Sequence, residues 1–499
     1  MPPEIPCMVA PYPTEEGVSP ASQVCHNRRP VPISSPSLWT RISCHHVPRT
    51  IASLRRYKSR PLRLRLGPQS STVALNDVLL HGNEVASLTI SPNPEQIPLL
   101  HQLLVFPRPS MKQLHIYSKR QIQWDAKEQG HDIPLELPSL RELFLCRFSI
   151  PVDRLSAPNL VHLALEDTEG TRNVASQSIL GVLRGCPRLK TLLIVNSGAG
   201  PLDPTRDHPP VSLPNLRSLE LGSPEVHLTA YLQFPPNVAV GFRKLGSDSV
   251  FGCVSPIVMA AMQRVLGRIN IHRITLARHI PLGGDMTNLI RFEGQRASLE
   301  ITTKASHSNA TLLTPGGVLF SRSLGIENTK ELQITGYYFH NRLVNNQGWF
   351  HINSFMPNLV SISFFRCKER DMFVPLTPTD HSSPPFPHLK HVMVLGEGPG
   401  LREMVKARRD YGVPLKTLMV GQRPRGSEND HLEPYAAREE YVGDHPEDCA
   451  GVGEFVGDLR VGCPTEIVQW GDGNEIMNFW STVGVPGPVS LNQNLMIPD

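Results

Sequence analysis

A short apolar pattern, apolar-x-x-apolar-x-apolar, recurs along this chain and constrains its fold more than any other feature. Complete copies stand at Val85/Leu88/Ile90, Met111/Leu114/Ile116, Leu140/Leu143/Leu145, Leu160/Leu163/Leu165, Leu189/Leu192/Ile194, Leu216/Leu219/Leu221, Ile271/Ile274/Leu276, Leu359/Ile362/Phe364, Leu389/Val392/Val394 and Leu415/Leu418/Val420. Partial copies stand at Leu62/Leu64/Leu66, Leu299/Ile301 and Leu332/Ile334. Two apolar residues with one residue between them lie on the same face of a short strand. The pattern therefore predicts many short strands, each with one apolar face.

The spacing of the copies is nearly regular. From the middle residue Leu88, successive steps are 26, 29, 20, 29 and 27 residues. Several copies begin with Pro-x-Leu, at residues 138–140, 158–160, 187–189, 214–216, 357–359 and 387–389. Proline fixes the backbone where strand pairing has not yet begun. Each unit can bury its apolar face only against the next, which favours parallel strands stacked along a curved solenoid over an ordinary α/β domain.

These features resemble an irregular leucine-rich repeat, a class with steps of about 20–29 residues. The resemblance implies an α/β fold, an irregular leucine-rich-repeat solenoid with parallel strands, short helices and loops. The Asn or Cys expected after the second strand leucine is mostly missing: Phe148 stands there in one copy, and only Asn93 matches plainly. We expect short helices at 177–184 and 401–411, and the period is lost over 231–268.

Composition narrows the class of protein. The 499 residues are 40% hydrophobic and 19% charged, which excludes a wholly disordered chain, a collagen and a disulfide-stapled miniprotein. Proline, with 48 residues, is about twice as frequent as usual and argues against long helices. The nine cysteines form no CxxC pair, so we expect reduced thiols. With no leader and no apolar span, the expected location is the cytoplasm or nucleus.

Charge is distributed unevenly along the chain. Residues 17–76 contain ten basic residues and no acidic ones. Residues 421–499 contain fourteen acidic residues and four arginines, a net charge of −10. The basic segment lacks interleaved aromatics and a known reader motif, so we expect no nucleic-acid partner. It indicates either a solvated face or a contact for an acidic partner, which could be the chain's own tail.

The first 42 residues carry a second motif. They contain Pro-Glu-Ile at 3–5, Ala-Ser-Gln-Val-Cys at 21–25 and Ser-Ser-Pro-Ser-Leu-Trp-Thr-Arg-Ile at 34–42. In this order and spacing they resemble the F-box of fungal F-box proteins whose C-terminal regions are leucine-rich-repeat-like. The closing Phe-Trp-Ser-Thr-Val-Gly at 479–484 is similar to that family's tail.

The F-box resemblance implies a function. In that family the F-box docks onto a Skp-type adaptor of a cullin-based, SCF-type ubiquitin ligase, and the repeats select the substrate. Carried over by motif, the adaptor-facing residues are Pro3, Glu4, Ile5, Val24, Cys25, Leu38 and Trp39. For Leu38 and Trp39, packing of the F-box onto the first repeat is an equal alternative.

The F-box match departs from the family pattern. Pro6, Ala10 and Arg28 stand where the family favours leucine, a bulky apolar residue and tryptophan. Four prolines, at 11, 20, 30 and 32, fall where helices normally run, and each costs roughly 3 kcal/mol inside a helix. At helix starts that cost vanishes. We therefore expect a degenerate F-box with weak or lost adaptor binding.

No catalytic motif occurs: the sequence has no Walker loop, GxGxxG, HExxH or GxSxG. The side chains of two adjacent residues rarely bind the same metal ion, so His45 and His46 do not indicate a metal site. We therefore expect no enzyme activity, no cofactor, no metal and no membrane partner. The predicted parts are an F-box-like segment at 1–45, a solenoid at 46–423, an acidic linker at 424–453 and a cap or tail at 454–499.

Two functions remain open: a substrate-recognition subunit of a ubiquitin ligase, and a repeat scaffold that binds protein without a ligase link. In both, we expect the partner on the concave strand face, at exposed x positions of the pattern. The candidate partner-binding residues are Arg141, Glu142, Phe144, His162, Lys190, Arg217, His388 and Lys390.

Overall fold

The computed structural model describes most of the chain between residues 39 and 461. The described ranges are 39–44, 47–57, 59–105, 108–123, 135–150, 152–168, 176–198, 202, 208–222, 225–245, 256–267, 269–279, 287–295, 297–304, 325–335, 346–365, 373–378, 384–395, 400–421, 452–456 and 458–461. Internal contacts divide the chain into two compact units, Met1–Arg243 and Lys244–Asp499. The boundary falls inside 231–268, the stretch where the sequence period is lost.

The first unit is built on short strands. They are β1 (Arg41–Ser43), β2 (Leu62–Leu66), β3 (Val85–Ile90), β4 (Gln113–Gln123), β5 (Leu135–Glu136), β6 (Glu142–Ser149), β7 (Leu155–Ser156), β8 (His162–Glu166), β9 (Thr191–Val195), β10 (Val211–Ser212), β11 (Ser218–Gly222), β12 (Leu232–Gln233) and β13 (Ala239–Leu245). Strands β1, β2, β3, β4, β6, β8, β9, β11 and β13 pair in that order, each parallel to the next. Two further parallel pairs, β5 with β7 and β10 with β12, form separate ladders.

Helices in the described part of the first unit are short. They are α1 (Val47–Arg56), α2 (Thr72–Leu80), α3 (Ile97–Val105) and α4 (Ser176–Arg184), with 3-10 turns at Gly82–Glu84, Pro94–Gln96, Val152–Arg154 and Val226–Ala230. The helix expected at 177–184 is confirmed as part of α4. Its apolar residues Ile179, Leu180 and Leu183 are buried, as the spacing of an amphipathic helix requires.

The repeated leucines form two buried rows across the first sheet. The second apolar residue of each copy pairs in register from strand to strand, giving the row Leu64, Leu88, Leu114, Leu143, Leu163, Leu192, Leu219 and Val240. The third residue gives the row Leu66, Ile90, Ile116, Leu145, Leu165, Ile194, Leu221 and Phe242. Every member is at most 3% exposed, so the repeated pattern is the core of this unit.

The second unit combines a hairpin with a parallel sheet. Its strands are β14 (Ile271–His279), β15 (Thr287–Gly294), β16 (Ser298–Lys304), β17 (Glu331–Thr335), β18 (Ser361–Phe365), β19 (His391–Leu395), β20 (Thr417–Gly421) and β21 (Asp458–Val461). In its described part the helices are α5 (Pro256–Leu266), α6 (Asn346–Phe355) and α7 (Leu401–Asp410), with 3-10 turns at Ile326–Asn328, Val374–Leu376 and Val452–Phe455. Strands β14, β17, β18, β19, β20 and β21 are successively parallel, and the helix expected at 401–411 is confirmed.

One strand departs from the expected stack of parallel strands. Strand β15 pairs antiparallel with both β14 and β16, so β16, which carries the partial copy Leu299/Ile301, runs in the same direction as β14. Only three residues separate β15 from β16, whereas a parallel connection needs a dozen or more. Alternation alone does not distinguish the two pairings, because it places Leu299 and Ile301 on the buried face either way.

A buried arginine ties α7 to the segments packed against it. Arg408 is 0% exposed, and its guanidinium donates hydrogen bonds to the carbonyl oxygens of Leu376, Pro385 and Phe386 at 3.2, 2.9 and 3.0 Å. Burial lowers the pKa of Arg408 to about 10, so the side chain stays charged at neutral pH. The three carbonyls thus hold a cation inside the second unit.

Both units are therefore α/β, with mostly parallel strands and short helices. Among the helices that the structure describes, none has the length and apolar character needed to cross a bilayer.

Candidate protein-binding surface

A tight turn leads into many of the parallel strands. In each Pro-x-Leu segment, the leucine N–H donates to the carbonyl three residues back, at 3.0–3.2 Å; examples are Leu160 to Ala157 and Leu189 to Cys186. Proline fits the second position of such a turn because its φ is already set. In each of these six segments the turn is followed by one residue and then by a strand.

Asparagines in the turns link successive repeats, a role that sequence reasoning missed. The side-chain amide of Asn159 donates to the carbonyl of Pro138 at 2.8 Å, and that of Asn215 donates to Pro187 at 3.0 Å. The Asn159 carbonyl oxygen also accepts from Arg188 at 2.9 Å. The sequence Pro-Asn-Leu at these turns is a signal from which the asparagine hydrogen bonds could have been predicted.

Directly before the strands of the first unit stands a line of mostly basic residues, which we call the first rim column. Its members are Lys112, Arg141, Val161, Lys190 and Arg217, which precede β4, β6, β8, β9 and β11. Each backbone N–H from Arg141 onward donates to the carbonyl of the preceding member at 2.8 Å. The four cationic residues are exposed, and Val161 is half-buried.

The second unit repeats this arrangement in a second rim column, made of Lys330, Val360, Lys390 and Lys416. These residues precede β17, β18, β19 and β20, and their backbones are linked in the same way at 2.8–2.9 Å. The three lysines are exposed, and a valine again interrupts the charge. None of the seven cations in the two columns forms an ion pair with another described residue.

The structure divides the eight candidate partner-binding residues into three groups. Arg141, Lys190, Arg217 and Lys390 lie on the rim columns, His388 is exposed in a leading turn, and Glu142, Phe144 and His162 lie within strands. Sequence reasoning missed Lys112, Lys330 and Lys416. The basic residue that follows the first apolar residue of most copies was the available signal.

The residues within strands are less accessible than the rim. Phe144 is 8% exposed, and its ring meets that of His115 edge-on with the centroids 6.1 Å apart. Every residue of β9 and β11 is buried, although alternate residues lie on opposite faces. Along these strands the exposed positive charge therefore lies at the rim, not on the sheet face.

A polar cluster borders the first rim column. The Glu142 carboxylate accepts from the Gln113 amide at 2.9 Å and lies 3.6 Å from Nε2 of His115. Burial opposes ionisation of Glu142, but the nearby His115 imidazole and the hydrogen bond from Gln113 outweigh it and lower the pKa of this carboxyl. Nδ1 of His162 is 3.0 Å from the Thr191 hydroxyl. Glu142 is thus engaged beside the column, and it forms no ion pair with the column's cations.

Two histidines next to the columns experience this positive charge. Burial lowers the pKa of His162; Glu142 opposes the shift and Lys190 adds to it. Burial likewise lowers the pKa of His391, and Lys416 and Lys390 lower it further. Burial therefore biases both imidazoles towards the neutral form, and the neighbouring lysines add to this bias.

Of the adaptor-facing residues, the structure describes only Trp39. Its side chain is 7% exposed, and the Arg56 guanidinium lies 4.6 Å from the ring centroid. This geometry matches a cation–π contact with α1. Pro3, Glu4, Ile5, Val24, Cys25 and Leu38 lie outside the described residues, as do His45, His46 and the predicted linker and tail segments except parts of 452–461.

Within the described ranges, no group of three or more His, Cys, Asp and Glu side chains could hold a metal ion. Of the described cysteines, Cys44, Cys146 and Cys186 form no disulfide bond. No protein-family model matches the sequence, and a search of curated proteins gives no significant match.

Proposed function

We propose that this chain is a non-catalytic protein-binding subunit that resembles an F-box substrate receptor of a cullin-based, SCF-type ubiquitin ligase. Its body is an irregular leucine-rich-repeat solenoid, and its partner is another polypeptide. The F-box-like segment would dock a Skp-type adaptor, and the repeats would select the substrate.

One observation carries the binding role: two columns of exposed cations, none of which forms an ion pair with a described residue, occupy equivalent positions in successive repeats. A buried leucine row needs no such charge, and neighbouring like charges cost stability. Repeat architectures present such successive positions as extended binding surfaces. The columns therefore favour an interaction surface over a passive solvated edge.

The ligase link is supported by the motif resemblance at residues 3–42. A repeat scaffold without adaptor or ligase binding is the second candidate, and Trp39 favours it. The ring of Trp39 is buried against Arg56, so this residue already has a packing role within the fold.

Titration of the full-length chain with a purified Skp-type adaptor distinguishes the two candidates. If the F-box-like segment binds the adaptor, calorimetry shows a one-to-one complex, and Val24→Asp lowers the affinity at least tenfold. Leu80→Asp is the matched control, because Leu80 is 82% exposed on α2 and tolerates charge. No binding by the folded wild-type chain would reject the ligase role and leave the scaffold.

A further inference from the structure

The rim columns have a geometry that constrains what they can bind. Neighbouring strands in a sheet are about 4.8 Å apart, so the five members of the first column span roughly 19 Å. An extended polypeptide advances about 3.4 Å per residue, so roughly six residues cover that length. A short extended segment that crosses the strands could therefore contact every member of the column.

The order of residues in the column adds a chemical requirement. Lys112 and Arg141 stand at one end, Lys190 and Arg217 at the other, and Val161 separates the two pairs. In the second column Val360 separates Lys330 from Lys390 and Lys416. The complementary segment has acidic residues at both ends and an apolar residue between them.

The positive charge of the first rim column is not neutralised by any described residue. The four cations of the first column are exposed and lack ion pairs within the described ranges, and Lys190 contributes to lowering the pKa of His162. An acidic ligand would relieve the repulsion among the cations, which lie on neighbouring strands. The same ligand would favour protonation of His162.

Nucleic acid is the competing polyanion. Proteins that bind single strands combine cationic grooves with exposed aromatic side chains on which the bases stack. No described aromatic residue of the first unit is exposed, and Phe144 next to the column is buried. The first column therefore offers cations and a valine but no stacking surface.

We infer that the first rim column binds an extended acidic polypeptide segment with a central apolar residue. This inference rests on the proposed protein-binding function and names the chemical class of its partner. It does not depend on whether the F-box-like segment binds an adaptor.

The test is a fluorescence-anisotropy titration of the full-length chain with a labelled peptide of about eight residues, acidic at both ends with one central leucine. We expect saturable binding that weakens at least tenfold when salt rises from about 50 to about 300 mM. The triple variant Arg141→Glu, Lys190→Glu and Arg217→Glu should weaken binding at least tenfold at the lower salt.

The matched control carries the same change in net charge away from the column. Arg55→Glu, Lys119→Glu and Arg120→Glu replace three exposed cations on α1 and on the later part of β4. This control should keep peptide affinity within about twofold. Equal losses in both triple variants would overturn the inference, because only net charge would then matter. Circular dichroism and thermal melts establish that both variants are folded.

Two further ligands, an uncharged peptide and an RNA, distinguish acidic-peptide binding from the other possible kinds of binding. A peptide with Asn and Gln in place of its acids should not bind, and a single-stranded RNA of eight nucleotides should bind at least tenfold more weakly than the acidic peptide. Tighter binding of the RNA, lost in the column variant, would replace the inference with nucleic-acid recognition. Absence of peptide binding by the wild-type chain would reject the inference even if the adaptor binds.

Discussion

The buried Arg408 allows a stability prediction with a definite sign. Replacing it with methionine keeps much of the side chain's length and removes every hydrogen bond to Leu376, Pro385 and Phe386. A buried acceptor left without a partner costs about 1–3 kcal/mol. Removing the guanidinium also removes its own desolvation penalty, which offsets part of that cost. We therefore expect Arg408→Met to lower the free energy of unfolding by about 3 kcal/mol.

Replacing Arg408 with lysine distinguishes the contribution of the positive charge to stability from that of the guanidinium's hydrogen-bond geometry. Arg408→Lys keeps the cation but cannot donate to three carbonyls from a planar fork, so about half of the loss is expected. The control is Arg402→Met, which removes an exposed cation from the same helix and should change stability by less than about 0.5 kcal/mol.

Urea denaturation followed by circular dichroism measures these differences. Because the chain has two compact units, unfolding need not be two-state, and amide hydrogen exchange of α7 peptides reports the second unit separately. A methionine variant as stable as wild type would contradict this expectation. It would show that the desolvation cost of the guanidinium cancels its hydrogen bonds.

Three further predictions follow from single contacts. Asn159→Ala removes two links between successive turns and should cost about 1–2 kcal/mol; a double-mutant cycle with Arg188→Ala measures the part that belongs to their shared hydrogen bond. Burial raises the pKa of Glu225, whose Oε1 accepts from the N–H and hydroxyl of Ser197. A raised carboxyl pKa stabilises the fold at low pH, and this contribution is lost as pH rises through the folded pKa. The stability of Glu225→Gln relative to wild type should therefore increase from about pH 4 to pH 8, and a flat difference in urea midpoints would contradict this. Burial raises the pKa of the Cys186 thiol to about 11, so at about pH 8 iodoacetamide should label it over a hundredfold more slowly in the native chain than in urea, as measured by peptide mass spectrometry.

The positions of the strands and of their buried faces can be predicted from the amino-acid sequence alone. The spacing of Leu143 and Leu145, repeated at Leu163 and Leu165, fixes which face of each strand is buried. Burial of one strand face requires only that alternate residues of the strand be apolar and that the neighbouring strand carry the same pattern. Every copy of the pattern accordingly lies in or at the start of a strand.

The contacts between segments that are distant in sequence are visible only in the folded chain. The last-turn position of Arg408 on an amphipathic helix is typical of an exposed cation, and its burial depends on three carbonyls more than twenty residues away in sequence. The antiparallel pairing of β15 likewise depends on the connections between strands, which side-chain alternation does not encode. The alignment of Lys112, Arg141, Lys190 and Arg217 follows from strand register, because backbone hydrogen bonds place residues about 20–30 positions apart next to one another.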